Sequence, residues 1–170
     1  MLFRSDECKE SIEEASKLIV QLETNFIDMI FEQGDLENLE KEDLKEFIKD
    51  FLIKKNVSII DLGPRENKTV DYPDYAKKLS NRIKAKKSDI GILVCGSGTG
   101  MAISANKIKT IRAAVCYNAK STRLSREHNN ANIISLGARL TSKKLSLKLV
   151  NIFLKTKFEG GRHIKRVNKI

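Results

Sequence analysis

The chain has 170 residues, 41% hydrophobic and 32% charged, with nine glycines, two prolines and no tryptophan; that suits one globular domain and argues against a disordered or collagen-like chain. No apolar run is long enough to span a bilayer, Met1–Lys9 (MLFRSDECK) lacks the apolar core of a signal peptide, and Cys8, Cys95 and Cys116 have no metal-ligand spacing, so the expectation is a reduced, cytoplasmic protein with no membrane attachment, disulfide scaffold or zinc ribbon. The net charge of +10 hides a split, residues 1–50 holding 15 acidic and 6 basic side chains (net −9) and the rest carrying net +19, which suits an acidic leader docked on a body that takes anionic ligands, or equally a lysine-rich surface that is merely soluble.

The leader, Ser11–Leu52, reads as two helices. Ile12, Ala15, Leu18, Ile19 and Leu22 recur at helical spacing, as do Leu44, Phe47, Ile48, Phe51 and Leu52, with Gln33-Gly34-Asp35 as the break. From Asn56 strands and helices alternate. Val57–Leu62 is a strand, Asp74–Lys87 a helix, Ile90–Cys95 a buried strand and Met101–Ile108 a helix. Ile111–Tyr117 is a strand, Ala119–Glu127 a helix, Ile133–Leu136 a strand and Ser142–Lys155 the last long helix, followed by a basic tail. Strands apolar on both faces and separated by helices predict a parallel sheet covered on both sides. Such a sheet binds ligands beyond the carboxyl ends of its strands, here after Leu62, Cys95, Tyr117 and Leu136.

Cys95-Gly96-Ser97-Gly98-Thr99-Gly100 follows the buried strand and opens a helix. Three glycines let the backbone approach a ligand with several N–H groups at a helix start. The spacing is G-x-G-x-G, where a dinucleotide fingerprint needs G-x-G-x-x-G, and no acid closes the next strand. No Gly-Lys-Ser/Thr follows either; a nucleotide loop is therefore disfavoured. A cysteine at a strand end beside a helix N-terminus is placed to act as a thiolate, nucleophile or base, with loop amides able to hold an oxyanion. The plainer alternative is a small buried apolar residue.

Of the two histidines, His128 lies in Ser125–Asn132 (SREHNNAN) between a helix and a strand. There an imidazole serves as acid or base, or caps the helix. The asparagines around it suit sugar hydroxyls or a tight turn. In the tail, Arg162 and Arg166 are four apart and share a face of one helical turn, a phosphate clamp or a solvated basic end.

Taken in order, VDYPDYA (Val70–Ala76), GILVCGSGTGM (Gly91–Met101), SANK (Ser104–Lys107), IRAAVC (Ile111–Cys116), SREHNNANIISLGAR (Ser125–Arg139) and FEGGRHIKRV (Phe158–Val167) closely resemble the type B ribose-5-phosphate isomerases. That family includes the galactose-6-phosphate isomerase subunits. The resemblance runs from Leu44 to the C-terminus, roughly three quarters of the chain. It implies a three-layer α-β-α, Rossmann-like domain over 44–170 with a parallel sheet of about five strands, preceded by an extra helical segment over 1–43. It implies interconversion of ribose 5-phosphate and ribulose 5-phosphate through an enediolate, with no metal or organic cofactor. On that likeness Cys95 is the base, and Ser97 and His128 help open the sugar ring. Gly96, Gly98, Thr99 and Gly100 hold the enediolate oxygen, Asn129 and Arg139 bind substrate, and Arg162 and Arg166 bind phosphate. Family members are homodimers or dimers of dimers, with sites built from both subunits.

The N-terminus departs from the pattern. The family opens on a strand ending in Asp-His, then its first helix; here Leu44–Leu52 matches that helix and no Asp-His precedes it. Ungapped extension puts Asn38-Leu39 at that place; otherwise Ser5-Asp6-Glu7 is the motif, with Glu for His and an insertion after it. Competing readings are an isomerase for a six-carbon sugar phosphate (allose or galactose 6-phosphate) and a catalytically weak homologue acting as a binding protein. Nucleic acid is not an expected partner, since aromatics are only 6% and no RNA module accompanies the basic charge.

Overall fold

A computed structural model describes residues 26–31, 39–64 and 70–170. Five parallel strands form one sheet in the order β2-β1-β3-β5-β4, with β1 Phe26–Phe31, β2 Ser58–Asp61, β3 Ile90–Cys95, β4 Ala113–Val115 and β5 Ile133–Gly137. The helices are α1 Leu39–Ile53, α2 Tyr72–Lys84, α3 Thr99–Ala105, α4 Ala119–Asn129, α5 Lys143–Lys155 and α6 Arg162–Val167.

Alternation along the strands sorts the core into two layers. Ile92 and Val94 of β3 pack with Ile134 and Leu136 of β5 against Leu44, Ile48 and Leu52 of α1 and Leu149, Val150 and Phe153 of α5. Leu93 and Cys95 face the other way, toward Leu79 and Ile83 of α2 and Met101 and Ala105 of α3. Gly91 is needed there: a Cβ on it would lie 2.4 Å from Leu79 Cδ2, so the missing side chain admits a fully buried leucine. Burial of such a side chain stabilises by about 1.5–3 kcal/mol. The result for function is that the Cys95 side chain emerges on the layer that carries α3.

The elements from Val57 onward follow the expected order, with ends shifted by a few residues. The shortest strand, β4, keeps only three residues of the expected Ile111–Tyr117. One expectation is corrected. The stretch between the two expected leader helices contains β1, paired on both sides, with Ile27 level with Ile59 and Ile90. Phe-Ile-Asp-Met-Ile-Phe is too short an apolar run for a helix and rich in residues that suit a pleated surface. The helical periodicity on either side, and the acidic charge around it, masked that signal. The second leader helix is present as α1; the first, Ile12–Leu22, lies outside the described residues, as do Cys8, Asp6 and Asn38. Cys95 and Cys116 are both buried, and neither is in a disulfide. No helix among the described residues is long and apolar enough to cross a membrane.

Candidate active site

β3 ends at Cys95 and the chain turns at once into α3, so the glycine loop caps the carboxyl edge of the sheet. Cys95 is 5% exposed, and its Sγ accepts the Gly98 N–H at 3.1 Å. Gly98 takes the left-handed conformation (φ +77°) as the N-cap of α3, which is what turns its amide back onto the sulfur. The loop is sewn to the segment after β5. Ala138 N–H donates to Cys95 O at 2.8 Å, Arg139 N–H to Gly96 O at 3.0 Å, and the buried Ser135 hydroxyl to Gly98 O at 2.6 Å. Gly137 must be glycine for this closeness, because a Cβ would sit 2.7 Å from Ser97 O. A loop held by that many bonds is preorganised rather than moulded by its ligand.

Ser97 and Thr99 belong to the same loop. Thr99 N–H donates to Ser97 Oγ at 3.3 Å, and the Tyr117 hydroxyl donates to Ser97 O at 3.1 Å while lying 3.5 Å from Thr99 Oγ1. Two of the loop amides expected to meet an oxyanion, those of Gly98 and Thr99, are thus turned to Sγ and to Ser97. The Arg139 guanidinium lies over Gly96, where a Cβ would approach its Cζ to 3.3 Å. The Tyr72 ring, at the start of α2, lies the same way against Gly100, at 3.0 Å. Tyr72 and Tyr117 are site neighbours that the sequence reading did not single out. Tyr72 lies inside Val70–Ala76, and Tyr117 at a strand end, the position that the carboxyl-edge rule marks.

The remaining candidates form a second cluster. His128 and Asn129 end α4, whose last carbonyls are tied by Glu159 N–H donating to Glu127 O at 3.0 Å. That bond brings the Phe158–Gly161 loop and α6 alongside. His128 stacks on His163, ring centroids 4.3 Å apart and planes 9° from parallel. The Nε2 atoms of His128 and His163 lie 3.8 and 3.7 Å from the same Glu159 Oε2. Burial first, then the charges of His128, Arg162 and Arg166, pushes the His163 imidazole below its ordinary pKa, while Glu159 acts in the opposite sense. His163 therefore favours the neutral form. It was legible only as part of the tail motif, in which Glu159 precedes His163 by four residues across Gly160-Gly161.

Among the described residues this trio brings its donor atoms together as metal ligands do, all within 4.8 Å. With the rings stacked, however, the two Nε2 lone pairs run side by side rather than toward one point. A metal would need one ring to turn.

A single chain does not bring the two clusters together. α4 starts beyond the carboxyl end of β4 and ends before the amino end of β5, so its eleven residues carry His128 about 15 Å back along the sheet from its carboxyl edge. Cys95, Gly96, Ser97, Gly98, Thr99, Gly100 and Arg139 lie at that carboxyl edge. His128, Asn129, Arg162 and Arg166 lie at the opposite one.

A doubly wound parallel sheet with a thiol and glycine loop at its carboxyl edge defines a class of α/β enzyme that handles small polar substrates there. The chain belongs to the ribose/galactose isomerase family, which it matches over residues 38–170, and the family's members are sugar phosphate aldose-ketose isomerases. A Rickettsia bellii protein conjecturally named a sugar phosphate isomerase is 46% identical over 128 residues, 75% of this chain and 89% of that one. The structure of Clostridium thermocellum ribose-5-phosphate isomerase B superposes with a TM-score of 0.79 at 43% identity, covering 85% of this chain and 93% of that one. Ribose-5-phosphate isomerase B from Mycoplasma genitalium, whose structure holds ribulose 5-phosphate, gives 0.77 at 36% identity, covering 85% and 92%.

Proposed function

We propose that this protein interconverts ribose 5-phosphate and ribulose 5-phosphate in the cytoplasm, with Cys95 as the base. The observation that carries the reading is the Cys95 sulfur, nearly buried at the strand end and accepting the Gly98 N–H. An N–H aimed at sulfur is the partner that a thiolate accepts from. Once the sugar is open, the thiolate takes the C2 proton and the electron pair moves into a C1–C2 double bond, leaving charge on O1. The loop amides not already turned to Sγ and to Ser97 hold that oxygen, and Arg139 binds the substrate beside Gly96. Returning the proton to C1, while the O2 proton leaves and O1 gains one, completes the ketose. Ring opening requires proton transfer at the ring oxygen and the anomeric hydroxyl, the task given to His128 with Ser97. Arg162 and Arg166 grip the phosphate, and Asn129 meets a sugar hydroxyl. The catalytic unit in this reading is residues 44–170, with β1 completing its sheet.

Because one chain separates Cys95 from His128, the reading requires a second copy. A twofold axis that sets the α4 end and α6 of one subunit over the glycine loop of its partner builds two equivalent sites. Large exposed apolar side chains border both clusters: Ile103, Tyr117 and Leu140 near the loop, Ile164 and Ile170 near α6. Apolar surface left bare at both edges is what a homodimer would cover.

The test is steady-state kinetics on ribose 5-phosphate, allose 6-phosphate and galactose 6-phosphate. The expected result is a kcat/KM for the five-carbon sugar at least about tenfold above the others, the discrimination one extra carbon group allows. Turnover of a six-carbon sugar alone would replace the substrate but keep the chemistry. No turnover of any of them would overturn the reading.

A further inference from the structure

At the amino edge of the sheet, opposite the glycine loop, a cavity of about 590 Å³ opens between the start of β3, the turn before β5 and the end of α5. It shares no residue with His128, Asn129, Arg162 or Arg166. Arg112 and Arg126 are partly buried in its wall, and Lys155 and Lys157 stand at its rim. The Arg112 Nε donates to Asn130 O at 3.0 Å and its Nη1 to Thr110 O at 3.3 Å. The Arg126 Nε donates to Thr156 O at 3.1 Å, and its Nη1 to Ala131 O. These carbonyls fix the two forks but cancel no charge. Among the described residues neither guanidinium pairs with a carboxylate, and Asp89 is the one acid on the wall. Buried charges are ordinarily paired. Here two like charges share one cavity, and Arg112 repels Arg126.

We propose that this cavity is a second anion site, which takes a phosphate group, free or on a small metabolite, between Arg112, Arg126, Lys155 and Lys157. The volume suits a ligand of that size, and arginine forks held at fixed angles suit tetrahedral oxyanions. The proposal does not depend on the isomerase reading, since none of the residues it uses is placed in the isomerase site.

The experiment titrates inorganic phosphate, and separately ribose 5-phosphate, into the full chain carrying Arg162→Ala and Arg166→Ala. Chloride at matched ionic strength is the control, and binding is read by phosphorus NMR and by melting temperature. Saturable phosphate binding is expected to persist in that background. Adding Lys155→Ala with Lys157→Ala should weaken it at least about tenfold, the loss expected for a charge-assisted contact, with an unchanged melting temperature in phosphate-free buffer. Arg112→Gln should do the same, removing the charge while leaving one amide donor in the wall. Weaker binding of free phosphate than of the sugar phosphate would assign the site to a metabolite, and the reverse to the ion. If the doubly substituted background binds no phosphate, or if neither the lysine pair nor Arg112→Gln weakens binding, the site does not exist. A failed isomerase assay would leave this titration untouched.

Discussion

Cys95→Ala should lower kcat for ribose 5-phosphate by roughly 10²–10⁴, the range lost with a positioned acid or base, with little change in KM. Sulfur lies at the end of β3 and accepts the Gly98 N–H, and loss of a hydrogen bond of that kind costs about 1 kcal/mol. The fold should persist. Cys95→Ser separates chemistry from structure: the hydroxyl still accepts the Gly98 N–H but holds its proton far too tightly to act as the base. Both variants should therefore melt close to the wild type and turn over close to not at all. A serine or alanine variant with near wild-type turnover would assign the proton transfer to another group.

The second large effect concerns the phosphate end of the substrate. Arg162 and Arg166 share a face of α6 and are solvent-exposed in a single chain. They hold up no core, so replacing them should not disturb the fold. Each charge-assisted contact contributes about 1.5–3 kcal/mol, so either alanine variant should raise KM by roughly tenfold or more. The smaller change should be in kcat, because the phosphate is remote from the reacting carbons and its grip is largely shared by ground and transition states. Inorganic phosphate should compete with substrate in the wild type and less so in the variants. A doubly substituted chain with unchanged KM would mean that α6 is a solvated basic end.

The residues that could be read from sequence are those whose signal is local. Ile90–Cys95 is apolar on both faces and stops at a glycine loop, so strand, edge and thiol emerge from one stretch of chain. The shared helical face of Arg162 and Arg166 needed only their spacing. β1 was not legible, because five apolar residues and one aspartate inside a charge-rich leader carry no period of their own and gain their strand state from pairing with β2 and β3. Tyr72 and Tyr117 come to the loop through the sheet's crossovers, which spacing alone does not encode. The stacking of His163 on His128 depends on the Glu159 amide meeting the end of α4, a long-range contact of the same kind. The separation of Cys95 from His128 was also beyond reading by motif, since both belong to one family signature. It follows from topology: a helix that returns from the carboxyl to the amino edge must carry its last residues away from the strand ends.

That separation allows the central claim, a sugar phosphate isomerase site shared between two copies, to be tested by complementation. Cys95→Ala and His128→Ala chains are each expected to be nearly inactive on ribose 5-phosphate. Unfolded together and refolded as an equal mixture, they should recover about one quarter of wild-type activity, because half of randomly formed dimers are mixed and each mixed dimer holds one intact site of two. A mixture no more active than its separate components, with mixed dimers demonstrated by mass spectrometry, would contradict a site shared between subunits.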